Sequence, residues 1–434
     1  MPMVFQGLPL VEVPVRRARL RVDNGGLGGS AMDQSVPTGL ELTVFDAVFR
    51  ERPHERFDAL RAAEPVHEDK VLNRLVLTRA VDIAALLKDR SLSVDPSKSA
   101  PGSFSAVMLP DVAASPDKSI LFLDDPDHRR LRGLVSKAFN ARSIDSLRPH
   151  IAAIADALLD ALAGRGEFDL IADYCSPLPI IVIAEILGVD TADRADFRRW
   201  SQGSAQAFSP VKSPETIALL EANRQGLEAY FSRVIAERRA APRDDLISAM
   251  IAAETDGDRM TTREIVVMCN LLLIAGNLTT TDLIGNAVLA LLRNPDQLAK
   301  LRARPALMPA AVEETLRLDP PVTDTVRTPL CPMRIDGVEV PAGGSVDALL
   351  MAGGLDPALH ADPLRFDIER ADKTHFAFGG GLHFCLGAPL AKAEAEIALE
   401  RLLARFPRLA LAGRPVARNI TPSFNGVEAL WVTP

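Results

Sequence analysis

The sequence predicts a mainly α fold with a small β region, and three observations carry that expectation. Apolar residues recur at i, i+3 and i+4 through most of the chain after Asp124. One helix-length segment, Thr262 to Arg293, is apolar nearly all round. Apart from Arg74–Leu77, strand-like runs come only after Leu318, where glycine turns separate them.

The chain has 434 residues, of which 47% are hydrophobic and 24% charged, with a net charge of −8. That composition excludes wholesale disorder, and the acidic balance argues against nucleic-acid binding. A prior of about 150 residues per domain suggests two or three domains. Residues 1–37 read as a disordered N-terminal extension. Its apolar start is broken by Gln6, Pro9, Glu12 and Pro14, and the basic cluster Arg16, Arg17, Arg19 and Arg21 follows it, the reverse of a secretory signal. Met32 competes with Met1 as the natural start. Residues 38–434 read as a single domain, with no repeat, linker or charge block to divide them. The longest apolar run, Ile265–Gly276, falls short of the roughly 20 residues a membrane span needs, so a cytoplasmic protein without membrane insertion is expected.

Helical periodicity covers His128–Phe139, Ile144–Ala163, Ile180–Leu187, Pro214–Ala240 and Asp244–Glu254. Thr262–Arg293 is delimited by a capping box, Thr261 with Glu264, and by Asn294-Pro295. At 1.5 Å per residue it would be roughly 48 Å long, enough to cross a whole domain and hold it together. Ala275-Gly276-Asn277-Leu278-Thr279-Thr280-Thr281 is a poor interior for such a helix. Thr279 can bond back to the Ala275 carbonyl, and Gly276 leaves backbone uncovered, so a small ligand or planar cofactor can approach there. A tolerated polar kink is the competing explanation. Met333–Val340 and Ser345–Leu349 are the later strand candidates.

Four cysteines, Cys175, Cys269, Cys331 and Cys385, are far apart, which excludes a disulfide scaffold and zinc or iron–sulfur spacings. Cys385 differs from the rest. Phe378-Gly379-Gly380-Gly381-Leu382-His383-Phe384-Cys385-Leu386-Gly387 is a glycine-rich turn that presents one thiol just before a helix, Leu386–Phe406. Backbone N–H groups and the helix dipole at that point are expected to lower the thiol pKa. Gly387 lets those groups approach sulfur, while Gly379 and Gly381 permit a tight turn against a flat ligand. A lone thiolate serves either as a nucleophile, with His383 as a candidate base, or as the axial ligand of heme iron. The glycine turn beside Phe378 suits a planar apolar cofactor better.

On these residues the chain resembles the cytochrome P450 heme-thiolate monooxygenases, in particular their soluble bacterial members. The match is Phe378-Gly379-x-Gly381-x-His383-x-Cys385-x-Gly387, and other family features follow in order. Glu314-Thr315-Leu316-Arg317 matches E-x-x-R, and Arg365 in Pro363-Leu364-Arg365-Phe366 resembles the residue completing a Glu/Arg/Arg triad. Ala275-Gly276-x-x-Thr279-Thr280 resembles the oxygen-binding stretch of a long central helix. His128 and Arg132, in Asp124-Asp125-Pro126-x-His128-x-x-x-Arg132, look like the pair that holds heme propionates. Arg327 and His383 sit where further propionate or heme contacts lie.

The resemblance implies a P450 fold binding heme b, with Cys385 as axial thiolate. It implies two-electron activation of O2 and hydroxylation of an apolar small molecule, whether terpenoid, steroid, fatty acid or polyketide-like. A heme protein without monooxygenase turnover, or peroxide-driven oxidation, is the alternative. Thr279 would handle protons at the oxygen, with Gly276 and Ala275 beside it. Leu278 stands where the family usually has an acid, and Asp282, a turn further on, is the candidate substitute. Gly380 and Lys392 replace residues that are often His and Arg in bacterial relatives. No flavin or nicotinamide fingerprint is present, so electrons would come from a ferredoxin and ferredoxin reductase. Arg129, Arg130, Arg132 and Lys137 are candidates for docking an acidic partner. Met108, Leu109, Leu272, Ala275, Thr323 and Phe424 are the candidate apolar pocket.

Overall fold

The computed structural model describes residues 36–204, 213–255 and 258–434, and residues 36–434 form one compact unit. The extension expected over 1–37 lies, except for Val36 and Pro37, outside the described residues. The helices that position the site are numbered here in chain order. They are α1 (Asp127–Val135), α2 (Ala141–Asp160), α3 (Pro177–Ile186), α4 (Pro214–Ala240), α5 (Thr262–Arg293), α6 (Met308–Leu318) and α7 (Ala388–Arg405). The expected bounds of α4 and α5 match those observed. For α5 the reason is local: the Thr261 hydroxyl accepts from the Glu264 N–H, the Glu264 carboxylate accepts from the Thr261 N–H, and Asn294 ends the helix before Pro295.

By length and composition α5 could cross a membrane, but here it packs against α3, α4, α6 and α7 inside the main core. Nearly every residue from Thr280 to Leu291 is buried. The helix stays continuous through Ala275–Thr281, so packing overrides the poor local propensity.

A five-stranded sheet lies beside the helices. Its strands are β1 (Val66–Asp69), β2 (Arg74–Leu77), β3 (Leu92–Ser93), β4 (Thr325–Pro329) and β5 (Val346–Ala348), in the order β1-β2-β5-β4-β3. β5 runs parallel to β2 and antiparallel to β4, with Val346 opposite both Leu75 and Arg327. This pairing places Arg327 on a strand in the protein interior. The run Met333–Val340 is a separate hairpin, Met333–Ile335 with Val338–Val340, turned at Asp336 (φ 47°) and Gly337 (φ 85°).

α6 carries the most buried ion pair. Arg317 is fully buried, and its Nε and Nη2 donate to the two Glu314 carboxylate oxygens at 2.8 and 2.9 Å. Its remaining N–H groups reach the carbonyls of Gly354 (2.9 Å), Pro363 (2.7 Å) and Arg365 (3.2 Å). Gly354 has to be glycine, because a Cβ there would lie 2.5 Å from the Arg317 carbonyl oxygen. The third member of the network is not Arg365. Arg370 Nε donates to Glu314 Oε1 at 3.2 Å and the Asp367 N–H to the same oxygen at 3.0 Å. The Arg365 side chain points to solvent, 61% exposed, with Asp367 at 3.9 Å. Only the Arg365 carbonyl joins the network, accepting from Arg317 and Arg370.

Removing one partner of a buried pair strands the other, whereas an exposed arginine contributes little. Arg370→Ala should therefore lower unfolding stability by about 3 kcal/mol, and Arg365→Ala by less than about 0.5 kcal/mol, in denaturant melts of matched preparations. Equal losses in the two variants would reverse the assignment.

Candidate functional site

The loop before α7 is shaped by two glycines in the left-handed region, Gly379 (φ 66°) and Gly381 (φ 62°). A Cβ on Gly381 would lie 2.1 Å from the Leu87 carbonyl oxygen, so conformation and space both require glycine there. The Gly379 N–H donates to the Phe376 carbonyl at 2.8 Å and the Cys385 N–H to the Phe378 carbonyl at 2.9 Å. Helix α7 begins at Ala388, slightly later than expected, with Gly387 as its N-cap.

The Cys385 thiol is not lowered overall. Burial raises its pKa, and the N–H groups of Gly387 and Ala388 together with the Arg132 guanidinium only partly oppose this. The dipole argument holds in sign and loses in magnitude to desolvation. A stable thiolate here needs a further cation, which a metal held by the sulfur would supply.

Around this loop the structure gathers four of the expected cofactor residues. His128, on the first turn of α1, is 2% exposed; neither ring nitrogen has a hydrogen-bond partner, and the Asp125 carboxylate lies 3.7 Å from Nδ1. Its ring centroid lies 4.1 Å from that of His383, at 40°. Arg132, one turn along α1, donates to the Phe384 carbonyl at 2.6 Å. Arg327 is 6% exposed and donates only to Thr325 Oγ1 (3.0 Å) and the Val326 carbonyl (2.9 Å). Among the described residues no carboxylate forms an ion pair with Arg132 or Arg327.

The electrostatics register this shortage of negative charge. Burial pulls Arg327 down to about 10. Burial, then the neighbouring His128, Arg327 and Arg132, push His383 down to about 4. His128 is lowered by burial and by Arg132. Of the neighbouring acids, Asp125 lies 3.7 Å from His128 Nδ1 and pairs with Arg129, and Asp124 is engaged by Ser93 Oγ (2.5 Å), the Val94 N–H (3.0 Å) and Lys98 Nζ (2.7 Å). A cleft bordered by Lys88, Arg90, Lys98 and Leu330 reaches Arg327 and His383 from the surface. A buried guanidinium, a half-buried one and a buried imidazole without a hydrogen bond call for an anionic ligand. The two propionates of heme b fit that demand, and Cys385 fits its iron.

On α5, Ala275 is exposed and Thr279 half-buried while the residues beyond them are covered. Thr279 Oγ1 donates to the Ala275 carbonyl at 2.7 Å, the back-bond the sequence suggested. Gly276 departs from expectation: a Cβ there would meet Ile183 at 3.6 Å, so this glycine faces α3 and Ala275 takes the open side. Thr281 also turns inward, donating to the Cys175 carbonyl at 3.3 Å.

Asp282 is a second correction. Its carboxyl is 3% exposed and packs where a Gly426 Cβ would fall, 1.8 Å from Oδ1. Oδ2 has no partner, and burial, reinforced by Asp319 and opposed by Arg418, raises its pKa well above the usual carboxylate range. Its carboxyl packs against the C-terminal segment, with no hydrogen bond to Thr279.

The pocket candidates divide into groups. Val322 bridges Phe424, and the Thr323 N–H donates to the Ser423 carbonyl at 3.0 Å, which brings Thr323 and Phe424 together. The Thr323 hydroxyl is occupied by Asp324 Oδ1 at 2.6 Å, so it adds no free polar group. Leu272 is buried on α5. Met108 and Leu109 end a short helix whose Ser105 N–H is tied to Ser345 Oγ at 3.0 Å. Of the docking candidates, Arg129 is 73% exposed and pairs with Asp125, while Arg130 is bound to Glu264 at the start of α5. The Lys137 side chain lies outside the described residues.

Sequence reasoning missed Arg370, and it left His375 as an ordinary loop histidine. Two arginines in one short loop give no local signal for which turns inward. His375, ten residues before Cys385, acquires a role only through contacts across the fold.

The sequence profile of the cytochrome P450 family matches residues 207–420. Cytochrome P450 107B1 of Saccharopolyspora erythraea is 41% identical over 91% of this chain and 98% of its own length. Vitamin D(3) 25-hydroxylase of Pseudonocardia autotrophica is 40% identical over 86% of this chain and 92% of its own. The crystal structure of the myxobacterial cytochrome P450 CYP267B1 in complex with myristic acid superposes with a TM-score of 0.83, at 39% identity over 90% of this chain and 98% of that one. The His128 imidazole without a hydrogen bond, the guanidiniums without a carboxylate and the glycine-shaped cysteine loop therefore have a common explanation: this chain belongs to the cytochrome P450 family of heme-thiolate monooxygenases.

Proposed function

We propose that residues 38–434 act as one catalytic domain in the cytoplasm, hydroxylating an apolar small molecule with electrons from a ferredoxin and its reductase. Within it Cys385 is the axial ligand, and His128, Arg132, Arg327 and His383 hold the heme propionates. The observation that carries this assignment is His128, buried with neither ring nitrogen hydrogen-bonded and Asp125 at 3.7 Å, beside two guanidiniums that lack a carboxylate. The relatives named for vitamin D(3) hydroxylation and solved with myristic acid support an apolar substrate. Leu272 and Phe424, with Met108 and Leu109 at the rim, supply apolar surface for it.

When bound, the heme supplies two-electron activation of O2 and delivery of one oxygen atom to the substrate. The chain's own residues orient, exclude water and move protons. Ala275 offers only a methyl group, so the cofactor face can approach α5 closely. Thr279 Oγ1 gives its proton to the Ala275 carbonyl at rest. Its lone pairs are then free to accept from a water, and rotation of the hydroxyl returns a donor to the cavity. With Leu278 in place of an acid and Asp282 sealed against Gly426, water held at Thr279 Oγ1 is the proton source.

The reduced protein with carbon monoxide should show the red-shifted Soret band of thiolate ligation, and Cys385→Ala should abolish it. A wild-type spectrum without that band would refute the ligand assignment.

Thr279→Ala should cut product formed per electron consumed by about 10-fold or more, since a positioned proton donor typically contributes at least 10²-fold. Substrate affinity should stay within about 4-fold, as the one methyl group lost is worth at most about 0.8 kcal/mol. Asp282→Asn, a near-isosteric change at a buried acid out of hydrogen-bond contact with Thr279, should leave coupling unchanged. Measuring product against reductant consumed separates these outcomes, and a drop in Asp282→Asn would restore Asp282 to the relay.

The imidazoles also predict a pH effect. His383 titrates near 4 in the heme-free fold and about 6.5 when unfolded. Between those values the unfolded chain binds more protons, so stability is full above about pH 6.5 and falls as pH drops toward 4. Bound propionates would pull the pKa back up, so the heme-loaded protein should lose less. Unfolding midpoints of both forms at pH 7 and pH 5 test this, and parallel losses would count against propionate binding at His383.

A further inference from the structure

Glu313 directly precedes Glu314 on α6, yet its carboxylate serves another part of the chain. Oε2 accepts from His375 Nε2 at 3.0 Å and Oε1 from Lys392 Nζ at 2.9 Å. The Ala377 N–H donates to His375 Nδ1 at 3.1 Å. A ring nitrogen that accepts from an N–H carries no proton, so Nε2 must carry it. His375 is thus the neutral Nε2–H tautomer and Glu313 the ionised acceptor. The bond from His375 outweighs burial and, with Lys392, holds the Glu313 carboxyl down at about 2.

His375 lies before the cysteine loop and Lys392 on the helix after it, so one carboxylate fastens both ends of the loop to α6. Between them stands Phe378. Its ring centroid is 5.9 Å from that of His375 and 6.0 Å from Lys392 Nζ, and its carbonyl accepts the Cys385 N–H. Charge and hydrogen bonding just outside a metal ligand tune that metal.

We propose that Glu313, His375 and Lys392 form a charge-balanced clamp that positions the Cys385 loop and sets the ferric–ferrous balance of the heme. The proposal rests on Cys385 being the axial ligand. The three are positioning residues, acting through Phe378 and the loop backbone.

The sign of the effect follows from charge. Glu313→Gln keeps an acceptor for His375 but leaves the Lys392 cation uncompensated, which favours the more negative ferrous state. Lys392→Gln leaves the carboxylate uncompensated and favours the ferric state. At a fixed applied potential, the ferrous-to-ferric ratio should rise roughly 3–10-fold in Glu313→Gln and fall by a similar factor in Lys392→Gln. The double variant should return to within about 2-fold of wild type, because the two charges cancel. Shifts of opposite sign that cancel support the clamp, whereas shifts of one sign, or none, overturn it. A purely structural role predicts losses in one direction only. The wild-type carbon monoxide spectrum, recorded alongside, separates the two failures. Absence of the thiolate band defeats the ligand assignment, and its presence without opposed shifts defeats the clamp alone.

Discussion

The buried carboxylate of Glu314 is the constraint on which the rest of the structure depends. Both its oxygens are saturated by Arg317, Arg370 and the Asp367 N–H, and Arg317 in turn gathers three carbonyls from chain far away in sequence. Neither ion could be buried alone, since the desolvation cost of each is several kcal/mol. Together they fix the loop that leads into the cysteine turn against the helix that leads into β4. Cys385 and Arg327 therefore occupy a common frame although 58 residues separate them in the chain.

The site combines a rigid apolar wall with an electrostatic deficit. Along its middle, α5 is buried on the side that meets α3, α6 and α7 and is uncovered around Ala275 and Thr279. Opposite it, the cationic groups repel one another and burial raises the thiol. Bound heme would offset these costs, its propionates meeting the cationic groups and its iron the thiol. Selection of the cofactor would then come from what the fold leaves unpaired.

Much of this was legible in sequence where local chemistry decides. Thr261 with Glu264, Asn294-Pro295 and the Arg74–Leu77 strand were readable because caps, prolines and β-branched runs act within a few residues. The cysteine loop was readable because its glycines and its position before a helix form one short pattern. Errors arose where orientation is set by distant packing. Arg370 rather than Arg365 turns to Glu314, Gly276 faces Ile183, and Asp282 is capped by Gly426, which lies 144 residues further on. The thiol pKa failed for a related reason: helix-dipole effects follow from sequence position, but desolvation follows from the whole fold.

Glu313 and Glu314 are adjacent, so their side chains leave α6 about 100° apart and feed two different loops. A one-residue insertion earlier in that helix would carry Glu313 into the place of Glu314, and a deletion would do the reverse. In either case the Glu314–Arg317 pair would turn as a unit by about 100°, away from Arg370 and the carbonyls Arg317 gathers, and His375 and Lys392 would lose the Glu313 carboxylate. Helix register at this point is therefore inherited as a unit with the cofactor site. Lineages descending from this chain are free to vary in the loops around Met108 and Phe424, while α6 can change only by substitution.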